Sequence, residues 1–198
     1  MKIVIINGYG GAGKDTFVEF CKKKDNDVFI QNFSTIDCVK EIAEKCGWLG
    51  EKTEKSRRFL SDLKDAMTKY NDKPYYNVLE KIDRLLYRFS YYEIPTDELI
   101  IFIHAREPKD IKRWVETLKA RTLLIHRTSE HIFENHADRD VYTMDYDYTI
   151  VNNGTLEELK EKAQKFIEQI REEDWNSITY KDIFEIVQEW RFGNDKND

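Results

Sequence analysis

The chain has 198 residues, enough for one domain that buries a sizeable core. Its charge is high but mixed in sign, with a net of −6, which argues against bulk nucleic-acid binding, a property of basic surfaces. It contains no apolar run of the roughly 18 residues a membrane span needs, and Cys21, Cys38 and Cys46 form no C-x-x-C pair, so they read as free thiols of a reducing, cytoplasmic compartment rather than a disulfide framework or zinc site.

The first predicted strand is Lys2 to Asn7. One lysine and a short apolar run followed directly by glycines read as a core strand rather than a signal peptide. The strand leads into Gly8-Tyr9-Gly10-Gly11-Ala12-Gly13-Lys14, and a helix is predicted from about Gly13 to Lys24. Strand, G-x-x-x-x-G-K loop and helix together form a phosphate-cradling arrangement. The glycines let backbone N–H groups turn inward, the helix adds its positive end, and Lys14 supplies a full charge. Asp15 stands where Ser or Thr usually meets Mg²⁺, with Thr16 one position later and able to donate to a phosphate. Two readings of Asp15 stay open. It faces a magnesium ion, directly or through water, or it points away and favours the helix N-terminus.

Val28 to Phe33 is the second predicted strand, and Ser34 or Thr35 is expected to cap a helix that runs through Cys46 and ends at Gly47. Residues 53–72 read as a helix whose stripe of Phe59, Leu60, Leu63, Met67 and Tyr70 faces a core. Pro74 interrupts that pattern, and a further helix covers Tyr75 to about Phe89, with Leu79, Ile82, Leu86 and Phe89 inward. Tyr75, Tyr76, Tyr91 and Tyr92 are read as packing residues rather than a base-stacking surface. The continuous apolar run Leu99 to Ile103 predicts a strand buried on both faces. Pro108 opens a helix ending near Lys119, Thr122 to Ile125 is a fourth strand, and Tyr148 to Val151 a fifth. Asn153-Gly154 marks a turn, and Thr155 with Glu158 forms a capping box for a helix through about Arg171. A last helix covers about Lys181 to Arg191, and residues 193–198 read as a disordered tail.

Strands alternating with helices predict an α/β fold, a parallel sheet with helices on both faces. Ligands of such sheets bind beyond the carboxyl ends of the strands. The glycine loop, Ser34, His104 with Arg106, Arg127 and Asn152 all follow strand ends, so five strands converge on one rim.

On these segments the chain resembles the P-loop nucleoside monophosphate kinases. It is most similar to their deoxynucleoside monophosphate kinase branch and to the phosphomevalonate kinases that share a G-K-D loop. The resemblance rests on Gly8 to Thr16, Phe33-Ser-Thr-Ile-Asp-Cys-Val-Lys40, Arg57 with Leu60 and Leu63, His104-Ala-Arg-Glu-Pro108, Arg127, and Asp147 to Leu159. It implies a five-stranded parallel sheet of order 2-3-1-4-5 in one kinase domain over residues 1–192. It also implies an acceptor-binding helical region at about 34–95 and a lid at about 127–145.

By the same resemblance, Gly8, Gly10, Gly11, Ala12, Gly13, Lys14, Asp15 and Thr16 hold the phosphates of ATP with Mg²⁺, Lys14 lies on the transferred group, and Asn153 and Gly154 sit beside the adenine. Ser34, Lys40, Arg57 or Arg58, and Arg106 approach a small phosphorylated acceptor, and Arg127 and Arg139 are lid arginines. For Lys40 a solvated helix position is an equal reading, and Arg139 sits between Asp138 and Asp140, where a local ion pair serves as well. The chief departure is His104, which stands where such kinases place an aspartate. Three readings stay open: Glu107 compensates, Asp15 compensates, or catalysis is lost and nucleotide binding kept. His131 and His136 read as polar loop residues rather than a metal pair. The function implied is transfer of the γ-phosphoryl of ATP to a (deoxy)nucleoside monophosphate. The alternatives are a phosphomevalonate-like acceptor or a nucleotide-binding regulator. The sequence leaves monomer and homodimer open, and implies no nucleic acid or membrane partner.

Overall fold

A computed structural model describes residues 1–22, 28–128, 140–175 and 178–194. The chain divides into two compact units, Met1–Asn32 with Pro95–Ile178, and Phe33–Ile94 with Thr179–Asp198.

The first unit is built on the sheet. The strands are β1 (Lys2–Asn7), β2 (Phe29–Ser34), which leads into the second unit, β3 (Leu99–His104), β4 (Arg121–His126) and β5 (Tyr148–Val151). Their order is β2-β3-β1-β4-β5, as expected. β1 pairs in parallel with β3 and β4, and β4 with β5. Parallel pairing needs crossovers with helices on the sheet faces, which is why the middles of β1, β3 and β4 are apolar, at Ile3–Ile6, Leu99–Ile103 and Leu123–Ile125. Side chains alternate along each strand. Val4, Ile6, Ile100, Phe102, Leu123 and Ile125 join one core with Phe17, Val18 and Cys21 of α1 (Lys14–Lys22), and with Leu159, Ala163, Phe166, Ile167 and Ile170 of the helix Leu156–Glu172. Ile3, Ile5, Ile101 and Ile103 alternate with that set and are also buried, and α5 (Pro108–Leu118) lies against β1 and β4 with Ile111, Trp114 and Leu118 buried. Away from the glycine loop, Lys2 donates to the carbonyls of Arg171 and Glu173 at 2.8 Å each, satisfying acceptors left over at that helix end. The Lys2 and Arg121 cations also lie over the Trp175 ring, 5.9 and 4.7 Å from its centre.

The second unit is helical: α2 (Asp37–Lys45), α3 (Glu54–Asn71), α4 (Lys73–Tyr91) and the C-terminal helix Tyr180–Asn194. In chain order the helix Leu156–Glu172 is α6 and the last one α7. α7 packs on α4: Trp190 stacks on Tyr76 with ring centres 4.6 Å apart, and Arg191 meets the Glu80 carboxylate at 3.3 Å. Burial pushes the Glu80 carboxyl up, but Lys73 and Arg191 outweigh it and hold the group below the usual carboxylate range.

Three expectations are corrected. Neither Ser34 nor Thr35 caps α2. The N-cap is Ile36 without a side-chain bond, because β2 extends through Ser34 and the Asp37 carboxylate accepts the Ser34 N–H. No residue of α3 is fully buried: Leu60, Leu63 and Met67 are half-covered, while Phe59 and Tyr70 are 38% and 87% exposed. α7 continues to Asn194, so Gly193 and Asn194, placed by expectation in a disordered tail, are helical, and 195–198 lie outside the described residues. Among the described residues no helix is long and apolar enough to cross a membrane.

Two substitutions separate core from surface. Phe102→Ala, in the middle of β3 with no exposure, is expected to lower unfolding free energy by about 3–5 kcal/mol. Tyr70→Ala on α3 is expected to stay within about 0.5 kcal/mol. Urea denaturation of the two variants against the parent chain measures both.

Candidate functional site: a glycine loop at the carboxyl rim of the sheet

β1 ends at Asn7, and three glycines give the next turn its shape. Gly8, Gly11 and Gly13 have φ of +148°, +89° and +99°, a region side chains rarely adopt. Space adds a second reason at two of them. A Cβ on Gly8 would stand 2.5 Å from the Ile125 carbonyl oxygen, and one on Gly13 2.4 Å from Nδ2 of Asn152. Gly11 has open space around it, so there the conformation alone selects glycine. Gly10 and Gly11 form the exposed tip, Ala12 is buried, and α1 begins at Lys14.

Two buried carboxamides hold the loop. Asn7 accepts the Gly8 N–H at 2.8 Å and donates to the Arg106 carbonyl at 3.3 Å and to the Tyr146 hydroxyl at 2.7 Å. Tyr146 in turn donates to the Val141 carbonyl at 2.7 Å. Asn152, just past β5, donates from Nδ2 to the Ala12 carbonyl at 2.8 Å, and its N–H reaches the His126 carbonyl at 2.6 Å. The Tyr9 hydroxyl adds a bond to the Arg127 carbonyl at 2.7 Å. Burial raises the Tyr146 phenol from 10.0 to about 12, and the Asn7 bond opposes that shift.

Lys14 folds back over the loop, donating to the carbonyls of Gly8 at 2.5 Å and Tyr9 at 3.0 Å. Thr16 is half-buried in the first turn of α1. The Asp15 side chain is 93% exposed, and its Oδ1 lies 3.7 Å from Nδ1 of His104, which is only 13% exposed. The pairing of Ile6 with His104 sets the end of β3 beside the loop's entrance. Arg106 and Arg127 follow β3 and β4 on the same edge, both exposed. Asn153 and Thr128 bond each other twice, at 2.7 and 2.9 Å, and Gly154 lies beneath the Glu158 carboxylate.

The structure therefore gathers Gly8 to Thr16, His104, Arg106, Arg127 and Asn152 to Gly154 at one rim of the first unit. Ser34, Lys40, Arg57 and Arg58 belong to the second unit. There Ser34 is half-buried, while Lys40 on α2 and Arg57 and Arg58 on α3 are exposed. Arg139, His131 and His136, with most of the expected lid, lie outside the described residues. Asn7, Tyr9 and Tyr146 were missed as loop supports. Asn7 had a signal, a polar residue closing an otherwise apolar strand directly before the first glycine. Tyr146 had none, since its role depends on contact with β1.

A hard cation fits the donor set here, because Mg²⁺ is commonly held by one or two carboxylates plus phosphate oxygens and waters. Asp15 offers such a carboxylate, exposed and beside Lys14. Among the described residues no group of three or more His, Cys, Asp and Glu is arranged around a metal.

No family model and no curated protein matches the chain. Similar solved structures include the shikimate kinase of Aquifex aeolicus, at 12% identity and TM-score 0.44, covering 85% of this chain and 97% of that one. Another is an unliganded sugar kinase from Janibacter sp. HTCC2649, at 14% identity and TM-score 0.43, covering 85% and 95%.

Asn152→Ala is expected to cost about 1–3 kcal/mol, because it leaves the buried Ala12 carbonyl without its partner. Gly13→Ala is expected to cost at least about 1–3 kcal/mol through its positive φ. Chemical denaturation measures both. Tyr146 adds a pH dependence. Its raised folded pKa means the unfolded chain loses the proton first. Its contribution is thus complete below pH 10.0 and is lost as pH rises toward about 12. Stability measured across that window should fall less steeply in Tyr146→Phe.

Proposed function

We propose that the protein is an ATP-dependent phosphotransferase that makes a diphosphate from ATP and a phosphorylated small molecule, a (deoxy)nucleoside monophosphate. The loop at Gly8–Thr16 carries this reading. Strand, positive-φ glycines, lysine and helix N-terminus occur together in the order that anion cradling requires. Bound Mg²⁺, with Asp15 as its protein ligand directly or through water, would supply charge neutralisation across the phosphates of ATP.

The chain's own groups do the remaining work. The loop amides and Lys14 grip the donor. To reach a phosphate, Lys14 exchanges the Gly8 and Tyr9 carbonyls for phosphate oxygens, a short movement of one flexible side chain. Arg106 and Arg127 follow β3 and β4, the strands on either side of β1, and are suited to offset charge as the phosphoryl group moves in line. Arg139 is proposed to join them from the 127–145 segment. Asn153, joined to Thr128, and the adjacent Gly154 are proposed to border the adenine. An acceptor phosphate is already anionic, so the chemistry requires positioning and charge compensation more than a dedicated base. Ser34, Lys40, and Arg57 or Arg58 of the helical unit are proposed to hold the acceptor.

His104 favours a second reading, a nucleotide-binding regulator without transfer, because an imidazole cannot supply the carboxylate expected at the end of β3. One assay separates the readings. ADP release is measured with a panel of nucleoside monophosphates and a phosphomevalonate-like acceptor, with Lys14→Ala as control. Acceptor-dependent turnover that falls at least about a hundredfold in Lys14→Ala supports the kinase. Lys14-dependent ATP binding with no turnover on any acceptor supports the regulator.

A further inference from the structure

We propose that His104 is a positioning residue that sets the direction of the Asp15 carboxylate and, through it, the magnesium dependence of nucleotide binding. This rests on Gly8–Thr16 being a nucleotide site.

Asp15 projects from the first turn of α1, and at 93% exposure packing leaves its carboxylate free to turn. His104 is the opposite case. Its backbone is fixed by the β1–β3 register and by the Ala105 N–H to Ile6 carbonyl bond at 3.4 Å, and its side chain is mostly covered. The rigid partner therefore orients the mobile one. Nδ1 is the nitrogen facing Asp15, at 3.7 Å. That is too long for a hydrogen bond but within electrostatic reach, and such contacts commonly tighten when a site is loaded. Asp15 also follows Lys14 directly, so turning its carboxylate changes how much negative charge faces the phosphate cradle.

The geometry names the atom that matters, which makes the idea testable by side-chain mimicry. The asparagine carboxamide places a nitrogen close to where histidine places Nδ1, whereas glutamine reaches toward Nε2. Affinity for a fluorescent ATP analogue is measured at limiting and saturating Mg²⁺. His104→Ala should weaken binding roughly three- to tenfold at limiting Mg²⁺ and much less at saturation. His104→Asn should restore most of the loss, and His104→Gln should not. In an Asp15→Asn background, His104→Ala should have no further effect. Additive effects of the two positions would overturn the proposal. So would a loss equal at both Mg²⁺ levels, or rescue by Gln as good as by Asn. If His104→Ala proves unfolded by circular dichroism, the Asn and Gln pair alone decides. Lys14-dependent binding that ignores His104 overturns this inference only. A chain that binds no nucleotide overturns the nucleotide-site reading and this inference together.

Discussion

The site depends on keeping a sharply bent, nearly side-chain-free stretch of backbone in one conformation. Glycines permit the bend at Gly8, Gly11 and Gly13, but they do not hold it, since the same freedom lets the chain leave it. The hold comes from Asn7 and Asn152, which tie the loop near its two ends to the segments just past β3 and β5. Each is buried, so each bond replaces water that is not available, and losing one exposes the full desolvation cost of its partner. The two carboxamides hold the loop without adding charge.

The sheet order then decides what stands around the loop. β1 lies between β3 and β4, so the groups that follow those two strands flank the loop on either side. That places His104 and Arg106 on one flank and Arg127 on the other. The parallel pairing fixes all three at the same rim, because every strand leaves the sheet on one edge. Nothing in the local sequence around Arg106 or Arg127 sets their carbonyls beside Asn7 and Tyr9; the topology does.

This explains which parts could be read from the sequence. β3 was legible because five consecutive apolar residues fit a strand covered on both faces, and α6 because Thr155 and Glu158 spell its first turn, where the Thr155 hydroxyl accepts the Glu158 N–H. The α3 stripe was legible as a helix period but not as a depth of burial. Period reports which side is apolar, while burial depends on how much neighbouring structure covers that side, and Phe59 and Tyr70 remain largely uncovered. The α2 cap failed for a related reason. Serine and threonine before a helix suggest a cap, yet β2 keeps Ser34 in the strand, and its hydroxyl accepts the N–H of Ile36, the N-cap itself, rather than an N–H inside the helix. At the site, the glycine motif was visible because it is contiguous. Asn7 and Tyr146 act across 139 positions of chain, where no spacing rule reaches.

Magnitudes bear on the two readings of Asp15. A carboxylate in a first helical turn gains about 0.3–1 kcal/mol from the helix dipole at an exposed site. Against that, two like unit charges 4 Å apart repel by about 1 kcal/mol even in bulk water, and by about 4 kcal/mol at the effective dielectric near a protein surface. A single nearby phosphate charge thus cancels the dipole gain, and a triphosphate brings several. With a phosphate bound in the loop, as proposed, an aspartate kept here only to favour the helix end would work against that ligand. The same carboxylate opposite a divalent cation changes the sign of the interaction. The dipole explanation suffices for an empty loop, and it stops sufficing once an anion is bound there.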